Sequence, residues 1–336
     1  MNHLKKSWLL LSILCVIMMI IIGGYTRLTD SGLSIVEWRP ITGALPPLSA
    51  EAWNTEFVKY QQSPEYQKIN MSFSLEDFKN IYYVEYFHRL MGRILALTFL
   101  LPFLYFLHKK ALTNEEIKSY FLIATLIMFQ GFMGWYMVKS GLISNPHVSH
   151  LRLAAHLFTA CILLHVMTLE YLSLEITDNE SLPSPGFHAN FIIFNIYLQI
   201  FSGALVAGLD AGLVYNSFPL MDGNFIPPEI SNIHRIFDIF TSPGSVQFIH
   251  RMIAYFLLVN VLFFCYRLVI LFKDDKQVIR VAHFLLVLIF LQLALGISTL
   301  LLIVPLQLAL LHQLCGILLL ITSIYASHRI RSSKRV

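Results

Sequence analysis

Charge is what this chain has least of. Only 13% of its 336 residues are Asp, Glu, Lys or Arg, against roughly 25% in an ordinary soluble domain. That shortage excludes a disordered chain, a nucleic-acid binder with a basic surface, and most soluble enzymes. Cysteine is also scarce. Cys15, Cys161, Cys265 and Cys315 all lie in apolar runs and none forms a CxxC pair. Neither a zinc site nor a c-type heme attachment is indicated. What remains is apolar, with 56% hydrophobic residues and a mean hydropathy of +0.65, which fits a polytopic membrane protein. The net charge of +4 says little about partners. Histidine is the unusual abundance, with 13 in the chain. Ionisable side chains inside a membrane are costly and usually functional.

A spanning helix needs about 20 mostly apolar residues. Eight such runs are present: Trp8–Gly24, Leu90–Leu107, Tyr120–Val138, Leu151–Leu174, Phe191–Gly208, Phe248–Phe272, Val281–Leu302 and Leu306–Ser327. The last two are nearly continuous, and Pro305 is the expected turning point because it cannot continue a helix interior. The first run follows Lys5 and Lys6 but lacks a small-residue cleavage site, so it reads as a retained helix. Placing the N-terminus inside puts 13 of the 24 lysines and arginines in inner segments. That favours cytoplasmic N- and C-termini, although the inner segment after Leu174 carries Glu175, Asp178 and Glu180 instead.

The two halves repeat one another. Gly23 and Gly203, Asp30 and Asp210, and Gly32 and Gly212 are each 180 residues apart. Val84–Arg89 (VEYFHR) matches Val246–Arg251 (VQFIHR) at an offset of 162, as Gln130 and Gly134 match Gln292 and Gly296. His156 matches His312 at 156. The offset changes only in loops, where insertions belong. The expected fold is therefore an all-α integral membrane protein. Its eight transmembrane helices form two duplicated, parallel four-helix bundles, residues 1–175 and 176–336.

Only four histidines belong to repeated pairs, His88 with His250 and His156 with His312. Each lies near the start of an even-numbered span, so all four are expected at matched depth near the outer leaflet. Helix bundles build cofactor sites from side chains on facing helices, and two histidines can hold a heme iron from both faces. Two sites follow, His88 with His156 and His250 with His312. Zinc would need three or four ligands. The other histidines read as structural: His3 and His328 in tails, His108 at an interface, His147 and His150 at a helix start, His234 in a loop, and His165, His188 and His283 in packing. Arg89 and Arg251 directly follow paired histidines, and Arg27, Arg152 and Arg235 lie on the same side. An arginine fork matches a heme propionate.

The halves also differ. Glu85 precedes His88 by one helical turn and shares its face, whereas its mate is neutral Gln247. Tyr25-Thr26-Arg27 matches apolar Leu205-Val206-Ala207. A carboxylate able to handle protons beside a cofactor places chemistry in the first half, leaving the second as an electron-holding or structural site. Asp30–Asn80, with Trp38, Pro40, Pro46, Pro47 and Trp53, is expected outside the membrane as a packed cover over the first site.

Gly23–Pro47 (GGYTRLTDSGLSIVEWRPITGALPP) resembles the signature loop of heme A synthases. Glu85–Arg93, Ser149–Leu157, Tyr215–Gly223, Val246–Arg251 and Leu311–Gly316 resemble further family segments in the family's order. The resemblance covers nearly the whole chain. It implies a heme-dependent membrane oxidoreductase that converts a methyl group of heme O, by successive hydroxylation, to the formyl group of heme A for assembly of terminal cytochrome oxidase. It further implies that Glu85, His88 and His156 serve the catalytic site, with His250 and His312 holding the iron of heme b. A ferredoxin-type or other electron donor, heme O synthase and membrane lipid are the implied partners, with no nucleic acid. The implied location is the bacterial inner membrane, or the mitochondrial inner membrane in a eukaryote. Some members carry a cysteine pair in the first outer loop. Tyr25–Phe87 has none, so the chain resembles the cysteine-free type. Two rivals are a di-heme electron-transfer cytochrome b, which needs no catalytic carboxylate, and a transporter, whose site would lie nearer the midplane.

Overall fold

The computed structural model describes residues 2–143, 145–174, 184–231 and 235–332. In chain order the helices are α1 (Asn2–Leu28), α2 (Ala50–Gln61), α3 (Pro64–Lys68), α4 (Leu75–His108), α5 (Asn114–Gly141), α6 (His150–Ser173), α7 (Ser184–Gly208), α8 (Pro228–Ser231), α9 (Pro243–Leu271), α10 (Lys276–Leu301) and α11 (Leu306–Ser332). Among the described residues the only strand-like feature is an isolated bridge between Met221 and Asn224. Eight helices, all but α2, α3 and α8, are long and apolar enough to cross a membrane. Each coincides with an expected span, and the chain is a multi-pass membrane protein. Glu175, Asp178, Glu180 and His234 lie outside the described residues.

Helix ends follow local chemistry. Ser74 and Asp77 form a reciprocal capping box that starts α4, and Thr113 and Glu116 do the same for α5. The repeated aspartates follow α1 and α7 with left-handed φ values of 47° at Asp30 and 50° at Asp210. Aspartate tolerates that conformation better than most residues. Between α10 and α11 the chain reverses at Pro305. Ile303 and Val304 take φ of 63° and 54° there, a strained state for branched side chains. Asn216 buttresses the reversal by donating to the carbonyls of Gly212 and Leu300.

α4 begins 15 residues before the expected span. Its 34 residues span about 51 Å, well beyond a hydrocarbon core of about 30 Å. The first four turns therefore project past the apolar run. Aromatic packing holds them. Phe78, Tyr82 and Tyr86 of α4 form a cluster with Trp53 and Tyr60 of α2 and with Ile35. The segment between α1 and α4 is thus packed, although Trp38 is exposed while Trp53 is buried.

Contacts divide the chain into two units, His3–Ala160 and Cys161–Val336, the division falling within α6. In the first unit α4 packs on α5. Trp8 secures α1 to both, donating from Nε1 to the Thr98 carbonyl at 3.0 Å and packing edge-on against Tyr120. Lys5 and Glu116 form a buried pair at 2.6 Å. In the second unit α7, α9, α10 and α11 form a closed ring, each packed on two neighbours. His328, expected in a tail, is buried within α11, because the helix continues past the apolar run.

The outer segment contains a titratable latch. Tyr60 donates to Glu65 at 2.9 Å and accepts from Asn70 at 2.8 Å. Burial pushes the Glu65 carboxyl up to about 7 from 4.5, with the charges of Glu85 and Asp30 adding to the rise. The folded segment keeps a proton that the unfolded segment has released. Its stability should therefore fall as pH rises from about 4.5 to 7, by at most ~3 kcal/mol, and level off above. Hydrogen exchange of residues 50–70 at pH 5 and pH 8 checks this. Once rates are divided by the intrinsic exchange rate at each pH, weaker protection is expected at pH 8, and Glu65→Gln should remove that difference in protection.

Candidate functional site

The four repeated histidines sit on α4, α6, α9 and α11, and each ring rests on a glycine of another long helix. A Cβ on Gly23 of α1 would lie 3.5 Å from His88 Nε2. One on Gly134 of α5 would lie 3.7 Å from His156 Cε1. The second-unit seats are tighter, with 3.0 Å from Gly203 of α7 to His250 Cε1 and 2.8 Å from Gly296 of α10 to His312 Cε1. In the second unit only glycine lets the ring approach the neighbouring backbone so closely, whereas the first-unit distances are ordinary van der Waals contact.

Hydrogen bonding separates the four. Ser202 Oγ donates to the Gln199 carbonyl at 3.0 Å and lies 3.0 Å from His250 Nδ1. That hydroxyl and the Gln199 side-chain amide both converge on the His250 ring. Gln199 Nε2 lies 3.1 Å from both ring nitrogens of His250. The residues 180 positions earlier are apolar Met19 and Ile22. His156 Nδ1 and His312 Nδ1 are buried without a hydrogen-bond partner. Gln292 Nε2 lies 3.4 Å from His312 Nε2. Its mate Gln130 instead donates to Thr159 Oγ at 2.8 Å, and the residue matching Thr159 (159 + 156 = 315) is Cys315. Thr159 thus engages the amide that in the second unit reaches the histidine.

The rings of His250 and His312 face each other with centroids 6.5 Å apart and planes at 75°. Two metal–nitrogen bonds of about 2 Å each, added to the depth of two rings, fill such a separation. His156 lies within electrostatic reach of His88. Among the described residues no group of three or more His, Cys, Asp or Glu converges on one point. The glycine seats, the orphaned Nδ1 atoms and the paired rings fit a flat iron cofactor held by two histidines.

Glu85, one turn before His88, is buried and fully engaged. Its Oε1 accepts from Arg89 Nη2 at 2.6 Å and Nε at 3.0 Å. Its Oε2 accepts from Ser34 Oγ at 2.7 Å and the Ile35 amide at 2.8 Å. Arg89 also donates to the carbonyls of Ile35 and Glu37. Four of its five N–H groups are thereby spent within the protein. In the second unit Arg251 donates to Gln247 Oε1 at 3.0 Å and to the Tyr215 carbonyl at 3.1 Å. Gln247 donates to the carbonyl of Ala211 at 2.8 Å. Ile35 and Tyr215 are themselves 180 residues apart, so the two clamps grip matched backbone. Arg27 pairs with Asp30, Arg152 stacks on Tyr136 and donates to its carbonyl, and Arg235 is exposed. His165 bonds the Tyr197 hydroxyl at 3.0 Å, and His188 packs edge-on against Phe264. Sequence reasoning missed Ser34, Ile35, Gln199, Ser202 and Thr159. Gln130 and Gln292 carried a signal as repeat mates, but no role followed from it.

A helical membrane protein that presents paired histidines from facing helices belongs to the class of bundles that hold cofactors in their interior. The cytochrome oxidase assembly protein family matches residues 6–324. A protein of Rickettsia africae named heme A synthase is 46% identical over 341 residues, covering 99% of both chains. Those of Rickettsia felis and Rickettsia bellii are each 47% identical, covering 99% and 97% of this chain and 99% and 98% of theirs. The chain belongs to this cytochrome oxidase assembly family, alongside relatives that bear the name heme A synthase.

The unequal seats give a direct test. Gly296→Ala sets a methyl 2.8 Å from a ring carbon, so it should displace His312 and weaken or abolish a low-spin heme band. Gly134→Ala, at 3.7 Å, should leave the spectrum nearly unchanged. Visible spectra and heme-to-protein ratios of the purified variants measure the difference.

Proposed function

We propose that this protein oxidises a methyl group of heme O to the formyl group of heme A, the form used by terminal cytochrome oxidase. Near full-length identity to heme A synthases carries this reading, and the histidine pairs supply a site for it. On this proposal the two halves are duplicated four-helix bundles. His250 and His312 hold heme b in the second, and His88 and His156 receive heme O in the first. Bound heme supplies iron redox chemistry that no side chain of this protein can provide. The reaction draws electrons from a ferredoxin-type or other small donor, and heme O synthase supplies the substrate. The protein resides in the bacterial inner membrane with both termini cytoplasmic, where the excess of inner lysine and arginine supports that orientation.

The residues divide the work. Ser202 and Gln199 orient the His250 ring. The first-unit rings lack such bonds to Met19 and Ile22, leaving His88 freer to change position as substrate enters and product leaves. Glu85 lies one turn from His88, with Ser34 Oγ donating to its Oε2, and is placed to pass a proton between the outer segment and the site. Arg89 anchors that carboxylate through its Nε and Nη2. Arg251 keeps a buried Nε without a partner, and that N–H is available to a heme propionate.

Glu85→Gln tests the assignment. The substitution preserves shape but sets an amide against donors, so either Arg89 or the Ile35 N–H loses its acceptor. The variant should fold and retain second-unit heme, because His250 and His312 are untouched. Heme A output should fall at least about tenfold, equivalent to ~1.4 kcal/mol of barrier. Chromatography of hemes extracted at matched protein content reads the outcome. Normal heme A would remove Glu85 from the reaction.

A further inference from the structure

The first outer segment carries an apolar face that the clamps and the histidine pairs do not use. Between α1 and α2, Trp38, Ile41, Leu45 and Leu48 are 47%, 84%, 70% and 80% exposed. A contiguous set of large exposed apolar side chains calls for a partner.

Its anchor points fix its depth. The backbone here is tied to α4 at Tyr86, whose hydroxyl donates to the Ala44 carbonyl at 2.8 Å, and at Arg93. Arg93 donates from Nε to the Pro40 carbonyl and from Nη2 to the Arg39 carbonyl, both at 2.9 Å. Gly43 lies directly against this guanidinium, with an added Cβ only 3.1 Å from Nη2. Arg93 is five residues beyond His88 toward the apolar run, about 7–8 Å further along the helix. That level lies within the expected span, which opens at Leu90. On the same helix Ile94, Leu97 and Leu101 are exposed and continue the apolar surface. The segment therefore descends along α4 to the outer edge of the hydrocarbon.

The polar chemistry suits that depth. Backbone carbonyls without donors are costly beside lipid, and Arg93 and Tyr86 satisfy three of them. The one charged side chain on the descending stretch, Arg39, turns away to Glu37 and Glu56, which with Lys59 make a polar network. Trp38 precedes the descent, and tryptophan favours the membrane–water boundary.

We propose that residues 38–48 insert into the outer leaflet as an interfacial anchor, with Ile41, Leu45 and Leu48 contacting lipid acyl chains and Arg93 as the cap that lets the backbone enter. The occupant of this face is the bilayer, not a second protein. The anchor fixes the outer segment from below, opposite its attachment to Glu85.

Nitroxide labels at Ile41→Cys, Leu45→Cys and Leu48→Cys, in a Cys15→Ala background reconstituted into lipid nanodiscs, test the proposal. Met71→Cys serves as a water-exposed reference, since Met71 is 67% exposed beside α3. All four sites are on the surface, so labelling leaves the packed core intact. Relaxation by oxygen relative to a water-soluble nickel chelate reports immersion. The three loop labels should show a ratio at least about threefold above that of Met71, as for side chains at the acyl boundary. Ratios matching Met71 would place the loop in water and overturn the proposal. Protection from oxygen and nickel alike would mean that protein covers the face, and would overturn it too.

Discussion

A helical turn with two polar residues, four positions apart, ties each unit together. In the first unit Glu85 and Arg89 grip the Ser34 hydroxyl and the backbone at Ile35 and Glu37. In the second, Gln247 and Arg251 grip Ala211 and Tyr215. A buried charge needs a partner and satisfied hydrogen bonds, and the outer chain supplies them. The histidine between each pair, His88 or His250, is thereby held where loop and helix meet. Besides the clamp, the aromatic cluster and the bonds from Tyr86 and Arg93 to the Arg39, Pro40 and Ala44 carbonyls keep this segment on α4.

The two units use one plan with different polar surroundings. Every repeated histidine has a glycine seat, which fixes the ring against a neighbouring backbone. The second unit adds Ser202 and Gln199 around His250 and places Gln292 toward His312. The first replaces the former with Met19 and Ile22 and holds Gln130 on Thr159. Tight seats and polar groups around the rings suit a permanent ligand set. Looser seats suit a molecule that must enter, react and leave. The clamp with a carboxylate also belongs to the first unit, so on the proposed function proton handling and looser ligation would coincide there.

Much of this was legible in the sequence. Eight apolar runs gave eight helices because hydropathy alone decides a span. The repeats marked the four histidines and also Gly23, Gly134, Gly203 and Gly296, since duplicated seats preserve both partners. The projecting turns of α4 were hidden, because Leu75–Arg89 mixes charges and aromatics and is stabilised by packing against α2. The clamps were hidden for another reason. Their partners are mostly backbone atoms, which leave no trace in residue identity. Ser202 and Gln199 have apolar repeat mates, so no repeat could point to them. His328 was misjudged because apolarity ends near Ser327 while the helix does not.

The central claim is that the two histidine pairs hold chemically different hemes. Extracting and identifying the hemes that remain in His156→Ala and in His312→Ala, each purified from the same cells, tests it most directly. The account predicts that His312→Ala loses protoheme and keeps the farnesylated hemes O and A, while His156→Ala shows the reverse. Equal loss of both kinds from either variant would contradict the division of labour between the units.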